Sequence, residues 1–293
     1  PSIAKTFQMI ETWGAKVHRI SVNREGVFDL EAFSKVVRPK TLLVSAMFAN
    51  NETGNLLPLS EIVARAKAAG ALVHTDAVQA LGKAKLHLGE MGVDYASLSG
   101  HKFYALKGTG LLYVKRGSPY RPLIYGGAQE RQRRGGTENT LGQIAFGEAV
   151  KDLVKLETEV PRIRELRDHM EARILNEITQ VTRTGAGSCR LNNTSSLVLK
   201  GVDGETLLMS LDLKGFAVST GAACSSGSPE PSPVLLAMGL TRAEAQNSLR
   251  VSLGWTTTRE QVDAFVDTLK EVVRHLRQIA TESASASGEG VSV

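Results

Sequence analysis

Short apolar runs alternate with an amphipathic stretch in the first half of the chain. The runs at residues 41–48, 71–76 and 93–98 predict strands, because each is too short for an ordinary helix. Between the first two runs, residues 59–69 carry apolar side chains at helical spacing and stop before Gly70, which predicts a helix. This strand–helix–strand order predicts an α/β fold with a mostly parallel, right-handed sheet covered by helices on both faces.

The second half of the chain mixes the two kinds of element. Residues 140–179 predict a long helical stretch with a kink or break at Pro161. The elements predicted after it are strands at 195–199, 216–218 and 249–253, helices at 204–213 and 234–238, and a final amphipathic helix at 259–279. We therefore expect a large domain over residues 1–155 and a smaller α+β domain over 156–280. The tail, 281–293, is rich in Ser, Ala and Gly and is expected to be disordered.

Composition narrows the class of protein. The chain has 293 residues, of which 42% are hydrophobic and 22% charged, as in soluble globular proteins. No apolar run approaches the roughly 18 residues that span a bilayer, so no membrane partner is expected. The net charge of +5 is modest, and the basic cluster at Arg131, Arg133 and Arg134 lacks interleaved aromatic residues, so no nucleic-acid partner is expected either.

The cysteines and histidines exclude other kinds of site. The chain has only two cysteines, Cys189 and Cys224, which argues against a disulfide framework and favours a reducing compartment. We therefore expect a cytoplasmic protein. The six histidines are scattered without ligand spacing, so no metal site is predicted.

One lysine carries the strongest chemical signal. Lys102 follows Ser99, Gly100 and His101 at the end of a predicted strand, where open α/β sheets bind ligands. A lysine in a desolvated setting forms a Schiff base with a carbonyl group. Asp76 closes the preceding strand and is able to keep a pyridinium nitrogen protonated. Alone, the lysine is ordinarily a solvated loop cation and the aspartate a helix N-cap; together they indicate a site for pyridoxal 5'-phosphate (PLP).

The motifs around these residues resemble a known family. From residue 50 to 258 the chain resembles the class V, fold-type I PLP-dependent transferases, and among them the cysteine desulfurases of the NifS/IscS type. The matching blocks are NNETG at 50–54, HTDAVQ at 74–79, SLSGHK at 97–102, GGTEN at 135–139, STGAACSSG at 219–227 and SLRVSLG at 248–254. This resemblance implies a fold-type I large domain and a homodimer.

The resemblance also implies roles for single residues. Lys102 matches the lysine that holds PLP and moves the α-proton of the substrate, with His101 beside it in the catalytic group. The other cofactor contacts implied are Asp76 at the ring nitrogen, Gln79 at the phenolate oxygen, Ser99 and His101 at the phosphate, Thr137 at the phosphate from the second subunit, and Asn51. Asn51 and Arg250 match the pair that binds the substrate carboxylate, a task suited to the planar fork of arginine.

Cys224 matches the nucleophile of these enzymes. Its thiolate attacks the sulfur of the substrate L-cysteine, which leaves a persulfide on the protein and releases alanine. Taken alone, a free cysteine is more often a buried small hydrophobe. The Ser and Gly residues that follow Cys224 resemble the long-loop group, which delivers sulfur directly to a scaffold or acceptor protein for Fe–S cluster assembly or other sulfur transfer.

The chain departs from the family pattern at its beginning. It starts after the position of the histidine that stacks on PLP in these enzymes, and we interpret it as lacking the N-terminal part of the family sequence. Three alternatives stay open from the sequence. They are a class V aminotransferase, which needs no thiol; a selenocysteine lyase, which prefers the selenium substrate; and a non-catalytic scaffold.

Overall fold

The computed structural model describes residues 2–185, 187, 189–221 and 230–288, and only the backbone of 283–288. The described chain forms two compact units. The first unit comprises residues 1–20, 28–49 and 57–156. The second unit comprises residues 21–27, 50–56 and 157–293.

The first unit is built on a four-stranded sheet in the order β1-β2-β3-β4. Strands β1 to β3 are parallel, and β4 pairs antiparallel with β3. The elements of this unit are α1 (Ser2–Thr12), α2 (Leu30–Val36), β1 (Leu43–Met47), α3 (Leu59–Ala68), β2 (Leu72–Asp76), β3 (Tyr95–Ser99), β4 (Gly110–Val114), α4 (Gln129–Gln132) and α5 (Thr140–Lys151). The mostly parallel sheet predicted from the apolar runs is confirmed.

Helix α3 forms because its apolar side chains recur on one face, which packs on the sheet. Its Ile62 and Ala66 are fully buried together with Val73 of β2. Helix α2 begins at Asp29, whose side chain accepts a hydrogen bond from the backbone N–H of Ala32 and so caps the helix. This packing fixes the direction of β1 and β2 and hence the edge at which both strands end.

The second unit contains a three-stranded antiparallel sheet in the order β5-β6-β7. Every residue of the central strand β6 is buried. The elements are α6 (Leu156–Glu177), β5 (Val181–Arg183), β6 (Thr194–Leu199), α7 (Gly204–Asp212), α8 (Pro233–Ala237), α9 (Arg242–Gln246), β7 (Ser248–Ser252) and α10 (Arg259–Gly288). Apolar residues of α6, α7 and α10 pack with β6 and β7 in one core.

Three sequence predictions differ from the structure. Pro161 lies inside α6 without ending it, and the interruption falls earlier, in the 3-10 turn Asp152–Lys155. Pro161 is the sixth residue of the helix, so it removes one backbone hydrogen bond, and the helix continues beyond it. The predicted strand at 216–218 is absent among the described strands; the half-buried Phe216 packs against Phe265, with ring centroids 5.6 Å apart. Pairing with β7 is limited to a single bridge between Ser219 and Arg250.

The third difference concerns the tail. Helix α10 continues as far as Gly288, past residue 281, where we expected the disordered tail to begin. Alanine and glutamate favour a helix, and no proline or glycine interrupts this stretch before Gly288. Residues 289–293 lie outside the described part of the chain.

Candidate active site

The carboxyl ends of β2 and β3 lie side by side at one edge of the first sheet. Asp76 is the last residue of β2 and stands opposite Ser97 in the parallel register. Strand β3 ends at Ser99, and one turn of 3-10 helix, Gly100–Lys102, follows directly. We call the group formed by Asp76, Ser99, His101 and Lys102 the strand-end site. It occupies the edge at which open α/β sheets bind ligands.

The turn that carries Lys102 is fixed by close packing. A Cβ atom at Gly100 would lie 2.5 Å from the hydroxyl oxygen of Thr109, so only glycine fits there. The backbone N–H of Gly100 also donates to the carbonyl of Thr109 at 2.9 Å. On the other side of Lys102, Phe103 is almost fully buried and meets Phe146 edge-on, with centroids 4.8 Å apart. Lys102 itself is half-buried, so its amine projects from a rigid support.

A hydrogen-bonded ladder crosses the strands on the Asp76 side of the sheet. His74 Nδ1 lies 2.8 Å from the Ser45 hydroxyl on β1, and His74 Nε2 lies 2.9 Å from the Ser97 hydroxyl on β3. Alternate residues of a strand share a face, so His74 and Asp76 lie on the same face. Burial lowers the pKa of His74, against the opposing charge of Asp76. The sequence analysis assigned His74 no role, although a histidine inside an apolar run was a visible signal.

The side chains of the strand-end site present complementary chemical groups. Ser99 Oγ lies 2.9 Å from His101 Nδ1, and Asp76 Oδ1 accepts the backbone N–H of Val78 at 3.1 Å. The site therefore offers an amine for an aldehyde, a carboxylate for a ring nitrogen, and a hydroxyl and an imidazole for a phosphate. This donor set fits PLP.

Gln79 is oriented as a donor. Its Oε1 accepts a hydrogen bond from Lys83 Nζ at 2.6 Å. An ammonium group only donates, so the acceptor must be the amide oxygen. The amide N–H groups of Gln79 are then available for an anionic oxygen, as its expected role requires.

Thr137 lies on an exposed loop that leads into α5. The loop is held by a close crossing: a Cβ atom at Gly135 would lie 2.7 Å from the backbone N of Gly126. Asn139 then caps α5 by accepting the backbone N–H of Gly142 at 3.0 Å. Thr137 is thus presented at the surface of the first unit, on a loop that is anchored on both sides.

The second unit brings Asn51 and Arg250 together. Arg250 lies on β7, and its Nη1 donates to the backbone carbonyl of Asn51 at 3.0 Å. The backbone N–H and carbonyl of Arg250 are bonded to Ser219 at 2.6 and 3.1 Å. The arginine therefore has a fixed backbone, and its guanidinium reaches the segment that carries Asn51.

Cys224 lies outside the described residues, which resume at Glu230. The other cysteine, Cys189, is exposed, and its backbone carbonyl accepts the N–H of Leu56 at 2.8 Å.

No helix in the described part of the chain is long and apolar enough to cross a membrane.

Comparisons with known proteins identify the family of the chain. The chain matches the family model "Aminotransferase class-V" over residues 2–265. It is 42% identical over 281 residues to a cysteine desulfurase of Nostoc sp. strain PCC 7120, which covers 96% of this chain and 70% of that protein. It is 39% identical over 281 residues to the cysteine desulfurase NifS of Azotobacter vinelandii, with the same two coverages.

A solved structure of a NifS-like protein has a TM-score of 0.86 to this chain at 35% identity. That match covers 93% of this chain and 72% of the NifS-like chain. The chain therefore belongs to the class V aminotransferase family and, within it, to the cysteine desulfurases of the NifS/IscS type. The resemblance drawn from the sequence motifs is confirmed, and so is the fold class.

Proposed function

We propose that this protein is a PLP-dependent enzyme that takes the sulfur atom of L-cysteine onto Cys224 and releases L-alanine. The observation that carries the proposal is the strand-end site, with Asp76 and Lys102 at one edge of a parallel sheet in a chain of the desulfurase family. Bound PLP supplies an electron sink for the bonds around the α-carbon of the amino acid.

The residues of the first unit have distinct tasks in this proposal. Lys102 would hold the cofactor through its amine and would move the α-proton of the substrate. Asp76 keeps the ring nitrogen protonated by its negative charge. Ser99 and His101 bind the phosphate, and the amide N–H of Gln79 donates to the ring oxygen. The neutral His74 adds no positive charge beside Asp76.

The second unit supplies the substrate contacts. Arg250 and Asn51 bind the carboxylate of L-cysteine, because the planar guanidinium is able to grip two oxygen atoms at once. The Cys224 thiolate then attacks the substrate sulfur as the bond between that sulfur and the β-carbon breaks. A thiol and L-cysteine give a persulfide and L-alanine with all atoms and electrons balanced, so no external oxidant is needed. The persulfide passes its outer sulfur to an acceptor or scaffold protein.

We further propose that two chains form a homodimer in which Thr137 of each chain contacts the cofactor of the other. Large apolar side chains are exposed on both sides of the Thr137 loop in the first unit. They are Leu123, Tyr125, Leu141 and Ile144. Exposed large apolar side chains before and after this loop in the sequence favour a subunit interface. A cytoplasmic location also belongs to the proposal, because a free catalytic thiol requires a reducing compartment.

The visible spectrum tests the function directly. Purified protein supplied with PLP should show a yellow band that shifts when L-cysteine is added. In the presence of a thiol reductant it should form L-alanine and sulfide in equal amounts. Lys102→Ala is the matched control and should do neither. Amino-group transfer to a keto acid without sulfide would contradict the proposal and favour an aminotransferase, and a strong preference for selenocysteine would favour a lyase.

A further inference from the structure

Glu52 is a buried carboxyl group to which the sequence analysis assigned no role. Only 6% of its surface is exposed. It belongs to a tight turn that Asn50 closes, because Asn50 Oδ1 accepts the backbone N–H of Glu52 at 2.8 Å and that of Thr53 at 3.0 Å. Gly54 follows with φ of 77°, a conformation that favours glycine. The turn therefore has one defined shape, and Asn51 lies within it.

Ser232 fastens this turn to helix α8. The Ser232 hydroxyl donates to the Glu52 carboxyl, and Ser232 is 2% exposed. The same hydroxyl oxygen accepts the backbone N–H of Leu235 at 3.1 Å and so caps α8. A hydroxyl has one proton to donate, so Glu52 is the acceptor of this bond. The N-terminus of α8 thus holds the turn through a single buried side chain.

The charge of Arg250 also acts on Glu52. Burial raises the pKa of Glu52, whereas the Ser232 hydrogen bond and the positive charge of Arg250 oppose this rise. Arg250 also donates to the carbonyl of Asn51, the residue directly before Glu52. The same turn therefore supplies the carbonyl acceptor of the half-buried Arg250 guanidinium.

We propose that Glu52 is a positioning residue for the substrate-carboxylate site. It fixes, through Ser232, the turn that carries Asn51, and this turn presents the Asn51 carbonyl to the Arg250 guanidinium. This inference rests on the proposed function, in which Asn51 and Arg250 bind the carboxylate of L-cysteine. Glu52 itself does not touch the substrate in this arrangement, so its removal should impair carboxylate recognition selectively.

The test compares two ligands that differ in the carboxylate. L-cysteine and cysteamine both carry an amine and a thiol, but cysteamine has no carboxylate. Glu52→Ala should raise the concentration of L-cysteine that gives a half-maximal spectral shift by about tenfold. The corresponding concentration of cysteamine should change by less than about twofold. The KM for L-cysteine should rise more than kcat falls, and the resting spectrum should be unchanged. Arg250→Lys serves as the reference variant with the same pattern.

Glu52→Gln keeps an acceptor for the Ser232 hydroxyl but loses the negative charge. It therefore separates the contribution of this hydrogen bond from that of the charge. It also keeps the test usable if Glu52→Ala does not fold. An intermediate, carboxylate-selective loss supports the proposal. If Arg250→Lys weakens L-cysteine selectively and neither Glu52 variant does, the positioning role is wrong while the proposed function stands. Equal weakening of both ligands also overturns the positioning role. If wild-type protein responds to neither ligand, the proposed function fails and this inference fails with it.

Discussion

His74 and Ser97 are joined across the parallel strands β2 and β3, with His74 Nε2 2.9 Å from the serine oxygen. The second ring nitrogen reaches Ser45 on β1, so one imidazole connects three adjacent strands. A neutral imidazole has one N–H and one acceptor nitrogen, and each of the two serines is able to complement either. Protonation would turn the acceptor nitrogen into a donor and place a charge in a buried position.

This arrangement predicts a pH-dependent stability. Unfolded His74 has an ordinary pKa of 6.5, and burial lowers the pKa in the folded protein. The contribution of neutral His74 to the free energy of unfolding is therefore fully present above about pH 6.5. It is lost as the pH falls, because the unfolded chain takes up a proton first. The loss for one such group is at most about 1.4 kcal/mol per pH unit.

Urea unfolding of His74→Gln at pH 7.5 and 5.5 checks this prediction. The variant should show a smaller drop in the free energy of unfolding between the two pH values than the wild type. His275→Gln, which changes an exposed histidine on α10, is the matched control and should retain the wild-type drop. A His74→Gln profile parallel to that of the wild type would show that another group controls the acid response.

The identity of the cofactor lysine gives a second prediction. Lys102→Ala should abolish the yellow band of bound PLP, whereas Lys107→Ala should retain it, because Lys107 is exposed and lies beyond the 3-10 turn. Borohydride reduction of the wild type followed by peptide mapping should find the pyridoxyl group on Lys102. Its recovery on another residue would refute the assignment.

The proposed subunit contact gives a third prediction. Chains with Lys102→Ala, which should be inactive alone, and chains with Thr137→Ala, which should be weakly active alone, should regain activity when mixed and refolded together. A mixed dimer has one site that carries both substitutions and one that carries neither, if Thr137 acts across the interface. Activity no higher than that of either parent would argue that Thr137 serves its own chain or has only a local role.

The two cysteines give a fourth prediction. Cys224→Ser should bind PLP and show the spectral response to L-cysteine, yet release no sulfide, because a hydroxyl cannot replace the thiolate. Cys189→Ser is the matched control and should keep most of the activity, although Cys189 is exposed. Mass spectrometry should locate the persulfide on Cys224. Sulfide release by Cys224→Ser at the wild-type rate would overturn the mechanism.

The parts predicted from the sequence were those determined by local pattern. The runs ending at Asp76 and Ser99 predicted neighbouring strands because apolar side chains and polar ends are visible in the sequence itself. The bond between Glu52 and Ser232 was not visible, because it joins residues 180 positions apart. The short strand β5 and the one-turn helix α9 also escaped prediction, since three and five residues give too little periodicity.

The division of the chain into two units has a consequence for its engineering. All the candidate groups for holding PLP except Asn51 lie in the first unit, and the described groups for gripping the amino acid lie in the second. Each set is supported by its own core, so substitutions around Arg250 and Glu52 need not disturb the packing that holds Lys102. Directed evolution toward other amino acids should therefore concentrate its libraries on the turn at residues 50–55 and on β7. Loss of cofactor retention then provides a simple screen for variants to discard.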